Sequence, residues 1–292
     1  MLLALLAGLL AVSPAPARAA GPQLPGQELE LKAGDGWTIK ARYKPAADQS
    51  GLSSKLTVVL LHGRGTRKES WLKLARALEK EGYGVLAPDL RGHGESQQAP
   101  DGQLVPWRKF KATAKGENDF AKMSLDVQAA VDWLGQNGVA ESSVALVGQD
   151  LGGSLALRYA AVHKNIAEVV MLSPGLNYQE VTTVNAMRAY RDRPILMIYG
   201  TIDRYTASSA PILYQFAKMS VGEQRAALMA VPDVHGAKLA VTPSVIDEIV
   251  SWLGNPVPPP PAVSTTAAPG QPEPPAQPEP APAEAPAPAP AQ

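Results

Sequence analysis

The chain contains no cysteine. That excludes disulfides, thiolate metal sites, a cysteine nucleophile and an anchor cysteine of the lipoprotein kind. It has no net charge, since 27 Lys and Arg balance 27 Asp and Glu. Nucleic-acid binding calls for a basic surface, so this balance argues against such a partner. It also has no apolar run suited to a membrane anchor. Met1 to Val12 is almost wholly apolar, but the run is too short to span a bilayer comfortably, and Pro14 and Pro16 break it. No clustered spacing of His, Asp or Glu suggests a metal, and no cofactor is expected.

What is present is enough apolar sequence for one sizeable core: 292 residues, 45% of them hydrophobic. Both ends lie outside that core. The apolar start followed by Ala17-Arg18-Ala19 reads as a signal peptide over residues 1–20, cleaved near Ala19 or Ala20, which implies a secreted or periplasmic protein. From Asn255 onward Pro and Ala dominate, so 255–292 is expected to be an extended tail without a core of its own and with no legible partner. The remaining domain covers 24–254.

Within it, apolar runs alternate with helix-spaced stretches. Glu28-Leu29-Glu30-Leu31 and Trp37 to Tyr43 flank a Gly34-Asp35-Gly36 turn and predict two antiparallel strands. Leu56 to Leu61 is a continuous apolar run, as in a strand buried on both faces. Trp71, Leu74, Ala75 and Leu78 predict a helix, and Val85 to Ala87 another strand. A long polar stretch, Gln97 to Asp119, carries Trp107 and Phe110 and is expected to act as a partial lid. Phe120 to Leu134 predicts an amphipathic helix. Val169 to Leu172, Ile195 to Tyr199 and Leu228 to Val231 predict further strands, and Thr242-Pro243 opens a closing helix. This alternation implies an α/β fold with a mainly parallel sheet covered on both faces.

The stretch around which the chain is organised is Gly148-Gln149-Asp150-Leu151-Gly152-Gly153. It follows an apolar run and precedes a helical one. A strand, sharp turn and helix of this kind expose the middle residue above the sheet, and flanking glycines permit the close strand–helix crossing. Here that middle residue is Asp150. Two later segments end in useful side chains: Asp203 just past Ile195 to Tyr199, and His235 in the Val234-His235-Gly236 loop. The order is nucleophile, acid, histidine. A carboxylate that orients a histidine lets the imidazole act as base.

Together these segments resemble the α/β-hydrolase superfamily over about Glu28 to Leu253. His62-Gly63 is similar to its oxyanion loop, and Pro88-Asp89-Leu90-Arg91-Gly92-His93-Gly94-Glu95-Ser96 to its turn after the next strand. Leu172 to Tyr178 resembles compact, dienelactone-hydrolase-like or small esterase members without a large cap. The resemblance implies catalytic roles for Asp150, Asp203 and His235, and backbone N–H groups of Leu151 and Arg64 as the oxyanion hole. The substrate would be a small ester, lactone or epoxide. Asp150 departs from the usual Ser. It resembles the aspartate elbows of epoxide hydrolases and haloalkane dehalogenases, which carry Trp where this chain has Leu151 and a helical cap that the connection after Leu172 is too short to supply.

A carboxylate attacking an ester carbonyl would give an anhydride, whereas attack on an sp³ carbon gives an alkyl ester that water can cleave. An active Asp150 therefore favours epoxide-like or alkyl-leaving-group substrates. A non-enzymatic envelope binding or scaffold protein is the alternative. Among the other candidates, Ser173 at a strand end ranks as a second nucleophile. Ser154, His62, His93, His163, Tyr178 and Tyr190 read as structural.

Overall fold

The computed structural model describes residues 23–47 and 55–256. The signal peptide expected over 1–20 lies outside them, as does the expected tail from residue 257 onward.

The chain opens with β1 (Gln27–Lys32) and β2 (Thr38–Lys44), an antiparallel pair. Then follow β3 (Thr57–Leu61), α1 (Leu72–Lys80), β4 (Gly84–Pro88), α2 (Ser124–Gln136), β5 (Val144–Gln149) and α3 (Leu151–Val162). β6 (Glu168–Leu172) leads into a small hairpin, β7 (Asn177–Tyr178) and β8 (Val181–Thr182), and a short helix, α4 (Val184–Ala189). β9 (Ile195–Gly200), α5 (Arg204–Val221), β10 (Ala226–Val231) and α6 (Pro243–Trp252) complete it.

Eight strands form one sheet in the order β1-β2-β4-β3-β5-β6-β9-β10. From β4 to β10 all neighbours are parallel, while β2 runs antiparallel to β4. Each central strand feeds two cores, because successive side chains point to opposite faces. Val59 and Leu61 join one core with Val127 and Leu134 of α2 and Leu213 of α5. Val58 and Leu60 join the other with Leu74 and Leu78 of α1 and Ile249 and Trp252 of α6. Strands β3 to β6 therefore read as unbroken apolar runs, as expected for strands covered on both faces.

The long polar stretch after β4 is pinned rather than helical. A bridge pairs Gln98 with Leu104, and a single 3₁₀ turn spans Trp107–Lys109. Phe110 packs edge-on against Trp37 and Phe120. The connection between β6 and β9 was expected to be short and uncapped, and it carries only the hairpin and α4. Among the described residues, no helix is long and apolar enough to cross a membrane.

Candidate active site

The elbow lies at the C-terminal end of β5. A Cβ on Gly148 would come within 2.3 Å of the Gly152 carbonyl oxygen, and one on Gly152 within 2.2 Å of the Leu61 carbonyl oxygen. Only glycine allows α3 to pass this close to β3 and β5. The turn forces Asp150 to φ 55°, ψ −121°, a region that β-carbon-bearing residues rarely adopt. Its N–H donates to Leu172 O at 2.9 Å, which fixes the turn to β6. Such strain persists only where surrounding structure over-determines it.

The Asp150 side chain is largely buried. Its Oδ1 has no hydrogen-bond partner among the described residues. A Cβ on Gly63 would lie 3.1 Å from Asp150 Cβ, so the carboxyl packs directly on the loop after β3. Burial pushes its pKa up to about 6. The Leu151 N–H and the Arg64 guanidinium oppose that rise, and the charge of Asp203 adds to it.

The loop after β3 is held from beneath. Leu90 N donates to His62 Nε2 at 3.0 Å, so Nδ1 carries the proton and donates to Gly63 O at 2.9 Å. Burial lowers the His62 pKa and keeps the ring neutral. Gly65 N likewise donates to His93 Nε2 at 3.0 Å, while His93 Nδ1 donates to Arg91 O at 3.0 Å. Burial, with the neighbouring His62, brings His93 down to about 4. Both histidines serve structure, as their sequence context suggests. Asp89 completes the support by accepting from Lys68 N at 2.8 Å, Lys68 Nζ at 2.7 Å and Glu95 N at 2.9 Å. The N–H of Arg64 is left without an acceptor among the described residues, and it stands on the loop that packs against Asp150.

Asp203 follows β9 and caps α5, accepting from Thr206 N at 3.4 Å. A Cβ on Gly236 would lie 2.6 Å from Asp203 Oδ2 and 2.3 Å from Ser173 Oγ. The acid and the serine therefore converge on the bare Cα of Gly236. His235 sits one residue earlier with its ring exposed to solvent, and its Nδ1 accepts from Ala237 N at 3.4 Å. The expected Asp203–His235 hydrogen bond is not formed in this conformation, for two reasons. The carboxylate is committed to the start of α5 and faces Gly236, and the imidazole caps its own turn.

Two site residues stand out more in space than in sequence. Gln149, buried at the end of β5, donates from Nε2 to Gly236 O at 2.8 Å and ties the elbow to the histidine loop. Tyr178, on the hairpin, donates its hydroxyl to Ser173 O at 3.1 Å. Burial, together with the charges of Asp150 and Asp203, raises its pKa and keeps the phenol protonated beside the acids. Tyr205 packs edge-on against Tyr178 at 5.2 Å and bonds both backbone groups of Asn177. Tyr178 thus packs beside the candidate site, with its hydroxyl on the strand end that carries Ser173. Ser173 is buried at φ 53° with its Oγ unpartnered.

The remaining candidates lie in structural surroundings. Tyr190 is buried and donates to Pro194 O at 2.6 Å. Ser154 is buried inside α3. His163 ends α3, stacks on Tyr159 and lies 3.0 Å from Glu141. Among the described residues, no group of three or more His, Asp and Glu side chains is arranged to hold a metal ion.

A mainly parallel eight-stranded sheet, with a strained elbow at the centre and an acid and a histidine on later loops, defines the α/β-hydrolase fold. The family profile described as alpha/beta hydrolase fold matches residues 57–187. The chain has the α/β-hydrolase fold, and its central part matches the profile of that family. An uncharacterised protein of Mycobacterium tuberculosis is 29% identical over 203 residues, which is 69% of this chain and 64% of that relative. The chain thus spans slightly less than two thirds of that relative's length. A soluble epoxide hydrolase of Corynebacterium sp. is 31% identical over 122 residues, 41% of this chain and 35% of the enzyme. In structure, a Pyrococcus furiosus esterase superposes with a TM-score of 0.62 at 20% identity, covering 82% of this chain and 97% of the esterase.

Proposed function

We propose that the protein is an exported hydrolase of small organic substrates in which Asp150 is the nucleophile and the reacting centre is an sp³ carbon, as in an epoxide. The observation that carries this reading is Asp150 itself, held at a positive φ on the elbow with one buried carboxylate oxygen unpartnered. Its pKa near 6 leaves it mostly ionised at neutral pH. The Corynebacterium epoxide hydrolase likeness supports the same chemistry. The apolar start with Ala17-Arg18-Ala19 supports export.

A carboxylate oxygen of Asp150 attacks the carbon, and the C–O bond of the epoxide breaks. Tyr178 gives its hydroxyl proton to the leaving oxygen, and a hydroxyalkyl ester of Asp150 is left. His235 then removes a proton from water, and the resulting hydroxide attacks the carboxyl carbon of Asp150. The N–H groups of Leu151 and Arg64 are suited to the oxyanion formed there. The ester C–O bond then breaks, the departing alkoxide takes the proton of the added hydroxyl, and the diol leaves; His235 returns its proton to the Tyr178 oxygen through solvent, and Asp150 retains one oxygen from water. This step requires the His235 ring to turn inward from Ala237 towards Asp203.

The test is turnover of a panel of epoxides, lactones and esters in heavy-oxygen water. Label in Asp150, and a trapped alkyl-enzyme in His235→Ala, are the expected results. Turnover without label, with His235→Ala still active, overturns the covalent mechanism. One observation favours the second reading, a binding protein on a hydrolase scaffold: Asp203 and His235 each bond to their own chain segment and not to each other. Tight binding of a small ligand with no turnover across the panel would select it.

A further inference from the structure

Beside the loop after β3 lies an open groove of about 620 Å³ that does not include Asp150, Asp203 or His235. Arg67, Glu69, His93, Pro106, Trp107 and Arg108 are among the residues that line it. Trp107 organises it. Its indole stacks on the neutral His93 ring with centroids 5.6 Å apart and planes within 4°. Two guanidinium groups lie over the same indole, Arg108 at 4.8 Å and Arg64 at 5.4 Å. Gly65, at φ 78°, lets the indole come close, since a Cβ there would lie 3.1 Å from it.

Neither Arg64 nor Arg108 has a hydrogen-bond or ion-pair partner among the described residues, and Arg67 is paired only with Glu69, at 3.2 Å. The charged side chains lining the groove are thus Arg67, Arg108 and Glu69, with a neutral His93 among them, and Arg64 brings a third positive charge over the Trp107 indole. Asp150 offsets the charge of Arg64, whereas Arg108 has no acidic partner among the described residues, so a bound anion lowers the repulsion between the two guanidinium groups. Stacked guanidinium groups are already oriented, and their in-plane N–H donors match a carboxylate. The Glu69 carboxyl that lines the groove opposes a dianion more than a monoanion. The apolar faces of Pro106 and Trp107 favour an organic body over a bare ion.

We propose that this groove binds a small organic monocarboxylate, its charge met by Arg108 with Arg64 and Arg67 adding field, its body lying along Trp107 and Pro106. Arg64 lies both on Trp107 and near enough to Asp150 to act on its ionisation. A substrate whose carboxylate is seated here would direct its reacting carbon towards Asp150 along the side of the groove that Arg64 shares with it. That second statement rests on the hydrolase reading, whereas the binding statement does not.

The experiment is calorimetric titration of the full-length chain with benzoate, benzamide, acetate and inorganic phosphate. Benzoate is expected to bind at least tenfold more tightly than benzamide and acetate, and more weakly as salt rises. Arg108→Ala, at an exposed position, should weaken benzoate at least tenfold with an unchanged melting temperature. Trp107→Leu should weaken benzoate too. Benzamide binding as tightly as benzoate, phosphate binding more tightly than benzoate, or an indifferent Arg108→Ala would overturn the proposal. If binding holds, epoxides with and without a carboxylate test the substrate statement. A preference of at least tenfold in kcat/KM for the acid, abolished by Arg108→Ala, is expected, and equal kcat/KM values would overturn that part. No turnover of either, with binding intact, would refute the hydrolase reading and leave the groove as a carboxylate site.

Discussion

Gln149 and Gly236 join the two halves of the candidate site. The amide of the residue just before the elbow donates to the backbone carbonyl just after His235, at 2.8 Å and buried from solvent. The acid elbow and the histidine loop come from strands separated in the sheet by β6 and β9, and this bond fixes their spacing.

Replacing Gln149 with Leu removes the donor and leaves a buried carbonyl unsatisfied. A loss of about 1–3 kcal/mol is expected. Because the loop that presents His235 is released, kcat on any substrate of the panel should fall by more than KM rises. Steady-state kinetics and a denaturant melt on the same preparation measure both. An unchanged kcat in a destabilised variant would show that the bond supports folding alone.

The raised pKa of Asp150 gives a pH dependence with a definite sign. A carboxyl whose folded pKa lies above its unfolded value binds protons more tightly when folded. It therefore costs nothing below the unfolded value near 3.8, and stability falls as pH rises towards about 6. The shift corresponds to about 2–3 kcal/mol. Asp150→Asn should accordingly raise stability at pH 8 and have little effect at pH 4. Activity of the native chain should rise through pH 6 as the carboxylate forms. Equal stability gains at both pH values would contradict the assignment of the shift to Asp150.

Glu168, at the start of β6, follows the same rule away from the site. Burial pushes its carboxyl up to about 7, although Gly254 N donates to Oε1 at 3.0 Å. The Trp252 indole lies close enough to the carboxyl to oppose that rise as well. Stability from this group is lost as pH rises from its ordinary value of 4.5 through 7. Glu168→Gln keeps the oxygen that receives Gly254 and removes the buried charge. The variant should melt higher than the native chain at pH 8 and nearly level with it at pH 4.5, with unchanged turnover.

Export gives a prediction that needs no enzyme assay. Material collected outside the cytoplasm should begin near Ala20. Edman or mass-spectrometric sequencing that finds Met1 intact on that material would refute cleavage.

The sheet and the elbow are legible in the sequence because burial on two faces demands unbroken apolar runs, and because glycines mark the places where backbones touch. Gly148 and Gly152 are examples, and each faces a carbonyl oxygen closer than a Cβ allows. Tyr178 was harder to place. The hairpin that carries it turns through Gln179 and Glu180, both at positive φ, where Asn or Gly would be the usual signal. The partnership of Gln149 with Gly236, and the stacking of Arg64 and Arg108 on Trp107, join residues with no informative spacing. Side-chain direction is equally hidden. The position of His235 can be read from its order after Asp203, but its ring's turn towards Ala237 cannot.

That turn of the His235 ring has a kinetic meaning. An exposed side chain changes rotamer in picoseconds to nanoseconds, far faster than typical turnover. Inward and outward orientations would therefore be in rapid equilibrium during each cycle. The rate of a step that uses His235 is then scaled by the fraction of time the ring points inward, and a ligand that favours the inward orientation accelerates the step without touching the reacting atoms.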